Sequence, residues 1–228
     1  MCVAAENSIV VNAGGAAAPT PNTGGMFVRS VPTSTVENNY FRGNEGRLAG
    51  ALLLSTSGTT MFATVRNNTF VDIITTSTVD GSVRTNLDAD IVNNVFHGDI
   101  RAISAKLSPA VTVHSNDFYG YSMGVYRTET VLHATANSLN SETFASGNIE
   151  ALPGFIDPND VHLLASSQLL STGSCSQAPA SDIDGDLRPI GGGCEIGADE
   201  YNPDWLLIFE DDFESGNMSS WSHTLPAE

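Results

Sequence analysis

The side chains best placed to do chemistry lie in Asp182-Ile-Asp184-Gly-Asp186, where three carboxylates alternate along a short stretch. Hard cations take several oxygens from one loop, so this spacing could hold calcium. Glycine fills the fourth place of the stretch, however, and Gly193 stands at the twelfth, where an EF-hand carries a bidentate glutamate. The alternative is a turn in which Arg188 pairs with one carboxylate and the aspartates bond nearby backbone amides. Calcium at Asp182, Asp184 and Asp186 is the one cofactor expectation. Cys175 and Cys194 flank this loop 19 residues apart. A disulfide between them would contribute roughly 3 kcal/mol on the chain-entropy estimate, free buried thiols being the alternative. Cys2 is then left unpaired.

A second set of groups could serve acid–base chemistry. Lyases use calcium carboxylates with a cationic base, and glycoside hydrolases use two carboxylates as acid and base. Asp88, Asp90, Asp99, Arg101 and Lys106 are the candidates. They form no motif, and no catalytic residue is assigned from them.

The elements that must position these groups are set by a repeat. It runs Val36-Glu-Asn-Asn39-Tyr-Phe41-Arg-Gly43, Ile91-Val-Asn-Asn94-Val-Phe96-His-Gly98 and Val113-His-Ser-Asn116-Asp-Phe118-Tyr-Gly120. A fourth copy, Val65-Arg-Asn-Asn68-Thr-Phe70-Val-Asp72, lacks only the glycine. Asn39, Asn68, Asn94 and Asn116 are 29, 26 and 22 residues apart, the length of a repeat unit. The β-branched residue and the phenylalanine stand five apart, so they cannot share a face of one uninterrupted strand. A corner at the asparagine, which tolerates left-handed backbone, lets both point inward. Gly43, Gly98 and Gly120 would mark a further bend. Asn12 and Asn137 extend the series as degenerate copies.

Units of this length with short strands predict an all-β parallel β-helix of about six coils. Phe41, Phe70, Phe96 and Phe118 would form a core stack, and Asn39, Asn68, Asn94, Asn116 and Asn137 the corners and an amide ladder. A leucine-rich repeat lacks its leucine ladder here, a propeller blade is longer, and a sandwich would not repeat its corner residue. His97, His114 and His133 fall at different offsets from their asparagines, so they predict exposed polar positions rather than a metal row. Tyr119, Tyr121 and Tyr126 could stack on sugar rings, with at least one expected to be buried between coils.

Composition narrows the partners. Of 228 residues, 41% are hydrophobic and 15% charged, and the uncharged remainder favours strands and turns. Nine basic against 26 acidic residues leave a net charge of -17, which argues against nucleic acid or an anionic membrane as partner. An acidic surface would keep an extracellular solenoid soluble. No run approaches the ~20 apolar residues that span a bilayer, and the first residues lack the pattern of a signal peptide. The chain is expected to begin inside a longer exported protein.

Beyond the repeat, Gly147-Asn148, Pro153-Gly-Phe155, His162-Leu-Leu164, Thr172-Gly173, Asp182-Ile-Asp-Gly-Asp186-Leu-Arg-Pro189 and Glu195-Ile-Gly-Ala-Asp-Glu-Tyr201 follow in order. This set resembles the carboxy-terminal end of bacterial right-handed parallel β-helix proteins of the choice-of-anchor Q type. Ser166-Ser167 and Ser171-Thr-Gly173 stand where that family carries proline- and aspartate-containing forms. The tail, with Phe213-Glu-Ser-Gly216 and Trp221-Ser222, is similar to the endings of exported Gram-negative proteins.

The repeat and these resemblances together predict coils over 1–147, a solenoid-terminating module that caps the stack over 148–201 and a sorting-type tail over 202–228. The favoured expectation is a monomeric secreted or bacterial cell-surface protein, non-catalytic here, with a structural role or one in binding polysaccharide or a cell-surface glycan. The rival reading is a fragment of a polysaccharide lyase or glycoside hydrolase whose cleft lies mostly upstream.

Overall fold

A computed structural model of the protein describes residues 2–5, 8–10, 23–29, 32–56, 61–98, 100–106, 110–157 and 159–206. Its path follows from two bends in each repeat copy. The first falls at Asn38, Asn67, Asn93 and Ser115, whose φ angles lie between 50° and 55°. The left-handed corner therefore stands one residue before the expected asparagine. The second bend follows the phenylalanine, at Gly43, Asp72 and Gly120, with φ of 60°, 54° and 80°. Gly98 does not share this conformation. Its reason is space, since a Cβ there would lie 2.6 Å from the Tyr121 hydroxyl oxygen.

Between bends the strands stack in parallel. The first sheet orders Cys2–Ala5, Thr33–Glu37, Phe62–Arg66, Asp88–Val92, Val111–His114 and Ala145–Ser146. The second orders Ser8–Val10, Tyr40–Arg42, Thr69–Val71, Val95–His97 and Asp117–Tyr119. The third runs through Met26–Arg29, Ala49–Ser55, Gly81–Thr85, Ile103–Ala105 and Tyr126–Arg127, with Leu132–His133 added antiparallel. The chain is all-β with almost no helix, a parallel β-solenoid of about four turns.

Register aligns like with like. Val36, Val65, Ile91 and Val113 pair across the first sheet, and Phe41, Phe70, Phe96 and Phe118 across the second. Successive phenyl centroids lie 4.8, 4.9 and 5.2 Å apart with planes within 16°. This spacing follows the strand separation, so one aromatic per coil fills the same interior column.

Beside the rings runs a ladder of buried amides. Asn39, Asn68 and Asn94 each donate through Nδ2 to the Oδ1 of the next asparagine, at 2.9, 2.9 and 3.0 Å. Asn116 donates to Asn148 Oδ1 at 3.1 Å. Each acceptor oxygen also takes the backbone amide of the preceding rung, at 2.9 to 3.1 Å. Asn137 is not a rung. It lies on the exposed side of a four-residue helix, α1 (Ala136–Leu139), because Ala136 and Leu139 turn into the solenoid core instead. Asn148 takes its place, itself held by Asn140 Oδ1 at 2.7 Å.

The described residues from 149 to 201 run along the flank of the stack. The second sheet's outward residues Tyr40 and Val71 pack with Val161, and Val95 packs with Leu163, Leu169 and Ile196. Covering both faces explains why Thr69-Phe-Val71 is buried throughout rather than alternating. The corner asparagines make the docking bonds. Asn38 Nδ2 donates to Ser181 O at 2.7 Å, Asn67 Nδ2 to Gly197 O at 3.1 Å, and Asn93 exchanges hydrogen bonds with Ser174 at 2.8 and 2.9 Å. A segment expected to close the end of the stack is thus seated against its side.

Candidate functional site

The aspartate loop forms its own turn before it does anything else. Asp182 is fully buried; its Oδ1 accepts the amides of Asp184 and Asp186, and its Oδ2 the amide of Glu200, each at 2.9 Å. Burial pushes its carboxyl above the ordinary range. Asp184 turns the other way to His162, and Asp186 accepts from Asn202 Nδ2 at 2.9 Å. The expected calcium set of Asp182, Asp184 and Asp186 is therefore not brought together, because one member is spent on three amides and the others diverge. Arg188 pairs with none of them. Its guanidinium meets Glu200 at 2.6 Å with both side chains inaccessible, and it donates to the carbonyls of Gly197 and Ala198 at 3.0 and 2.8 Å. Glu195 shares this interior, where burial and a hydrogen bond with Glu200 push its carboxyl up to about 8.

A different group does converge. The ligand atoms of His162, Asp184 and Asp199 all lie within 4.8 Å of one another. A short antiparallel pair, Phe155–Asp157 with Asp160–Leu163, presents Asp160 and His162 two residues apart on one face. His162 Nδ1 bonds Asp160 Oδ1, and its Nε2 lies 2.9 Å from Asp184 Oδ2. Burial opposes a charge on this ring, yet the bond to Asp160 and the charges of Asp199 and Asp184 outweigh it, and its pKa is raised. Asp199 is buried, accepts the Leu163 amide at 2.8 Å, and is pushed up to about 7 by burial despite the nearby imidazole. Asp186, Glu200 and Asn202 complete a small pocket beside it. The spacing Asp160-x-His162 on a strand was the available sequence signal for this group; nothing local pointed to Asp199.

The acid–base candidates stand apart. Asp88 Oδ1 accepts the Ala110 amide at 2.8 Å, and Asp90 accepts the Thr112 hydroxyl, each bond linking neighbouring coils. Arg101 is 1% exposed and donates to the carbonyls of Thr78 and Met123 at 2.8 and 3.0 Å. Lys106 is tied through its amide to Thr85 O at 2.8 Å. Asp99 lies outside the described residues, as do Asn12 and the tail motif.

The aromatic and histidine candidates are likewise dispersed. Tyr126 is buried, Tyr121 places its hydroxyl 3.2 Å from Ser82 Oγ, and Tyr119 is 36% exposed with its ring stacked on His97 at 5.4 Å. His97 meets Phe155 edge-on, and burial lowers its pKa. His114 contacts Ser146 at 3.0 Å. His133 is not the exposed residue expected; it is buried, 3.1 Å from Ser138 Oγ. Cys175 and Cys194 are disulfide-bonded with Cα atoms 5.2 Å apart.

No family model matches the chain, and no match is found among curated proteins or solved structures.

Proposed function

We propose that this chain is part of a secreted or cell-surface bacterial protein, a non-catalytic solenoid that acts as a structural element or binds polysaccharide or a surface glycan. The observation that carries this reading is the use made of Asp88, Asp90 and Arg101. Acid–base chemistry needs such groups converging on a cleft. Here each is committed to a neighbouring coil or to backbone carbonyls. The disulfide is consistent with an oxidising compartment. Tyr119 offers a partly exposed ring to a sugar face.

We assign the solenoid as a right-handed β-helix, the hand that parallel crossovers overwhelmingly prefer. Residues 148–201 end the coil series, as the choice-of-anchor Q resemblance implies, and brace its flank. The test incubates the protein with acidic and neutral polysaccharides, with and without calcium. We expect retention in affinity electrophoresis on at least one glycan and no release of reducing or unsaturated ends. Turnover by this chain would overturn the reading in favour of a lyase or hydrolase.

A further inference from the structure

We propose that His162, Asp184 and Asp199 bind a divalent cation of the zinc class on the flank of the solenoid. One imidazole nitrogen with two carboxylate oxygens is a ligand set that suits first-row transition ions better than calcium, which takes oxygens alone.

Three observations support it. First, the bond of His162 Nδ1 to Asp160 directs the other nitrogen at Asp184, the carboxylate–histidine arrangement that orients ligating imidazoles. Second, Asp199 is 4% exposed, and one of its oxygens accepts the Leu163 amide. The side chain lines a small pocket together with His162, Asn202 and Asp186. Third, carboxylates outnumber cations at this site. Asp160, Asp184 and Asp199 surround one imidazole, and the neighbouring guanidinium of Arg188 already belongs to Glu200.

The distances suit the ion. Tetrahedral zinc with bonds of about 2.0–2.1 Å sets its ligand atoms about 3.4 Å apart. The ligand atoms of His162, Asp184 and Asp199 all lie within 4.8 Å of one another, so small side-chain movements reach that spacing. This site shares only Asp184 with the calcium set suggested by residue spacing, and it is independent of whether the solenoid binds glycan.

The test is calorimetric titration of the full chain with zinc chloride, and separately with calcium chloride, after treatment with a chelator. One zinc per chain is expected, with a zinc-dependent rise in melting temperature. Asp184→Asn and His162→Gln should each weaken zinc binding at least tenfold. Asp184 is exposed, so Asp184→Asn should leave the far-UV circular dichroism unchanged and keep the comparison clean. Absence of zinc binding, zinc binding unaltered in both variants, or calcium binding as tightly as zinc would each overturn the proposal.

Discussion

Replacing Asn94 with alanine removes the centre of the amide ladder and tests its energetic weight. Asn94 Oδ1 accepts from the backbone amide and the Nδ2 of Asn68 at 3.0 and 2.9 Å. Its Nδ2 donates to Asn116 Oδ1, Val65 O and Val92 O at 3.0, 2.9 and 3.0 Å. A buried hydrogen bond contributes about 1 kcal/mol net, and a partner left unsatisfied costs about 1–3 kcal/mol. With two neighbouring side chains and several backbone groups stranded in a dry interior, Asn94→Ala should cost about 4–5 kcal/mol. Reading the repeat alone suggests only a modest effect, because an isolated corner residue carries no such network. Asn94→Asp should be worse at neutral pH, since a carboxylate would face the Val65 and Val92 carbonyls. Asn137→Ala is the control and should stay within about 0.5 kcal/mol, as expected of an exposed site. Equilibrium unfolding in guanidinium, followed by far-UV circular dichroism and compared at equal m-values, measures all three. A loss below about 1.5 kcal/mol for Asn94→Ala, or one matching Asn137→Ala, would refute the ladder argument.

Phe96→Ala opens a void between rings 4.9 and 5.2 Å away and should cost about 3–5 kcal/mol in the same assay. Asp117 is fully buried, accepts the Ala151 amide through one oxygen and leaves the other without a partner. Burial pushes its carboxyl up to about 8. The unfolded chain releases that proton near pH ~4, so between these values the folded state binds more protons and stability falls as pH rises. Asp117→Asn should therefore exceed the wild type in stability at pH 8.5, the gap closing toward pH 4; parallel pH profiles would contradict this. Reducing the Cys175–Cys194 bridge should cost roughly 3 kcal/mol. Hydrogen exchange should rise first at Gly173, Ser174 and Gly197, whose amides bond Cys194 and Asn93.

Much of the solenoid was legible because its contacts join residues at the same offset in successive copies. Phe96 meets Phe70 and Phe118 for the same reason that it resembles them. The division of labour within Asn38-Asn39, Asn67-Asn68 and Asn93-Asn94 was not legible, since either residue could take a left-handed corner. The chain gives that conformation to the first and the interior ladder to the second. Asn137 misled because its spacing fits the series, whereas Asn148, 32 residues after Asn116, fits the hydrogen bonds. A helical turn intervenes, and spacing cannot register it.

By itself the sequence determined the coil: strand, left-handed corner, strand, bend, with one phenylalanine and one asparagine delivered to the interior each time. Those are local preferences multiplied by repetition, and repetition makes them additive. Only the tertiary structure decided where residues 159–201 sit. Asn67 meets Gly197 across 130 positions, and Ala198 bonds Thr69 across 129. No local preference encodes such pairings; they arise because the second sheet has an outward face of Tyr40, Val71 and Val95 to bury. The same docking joins Asp199 to His162 and Asp184, so the candidate cation site exists only once the flank is covered.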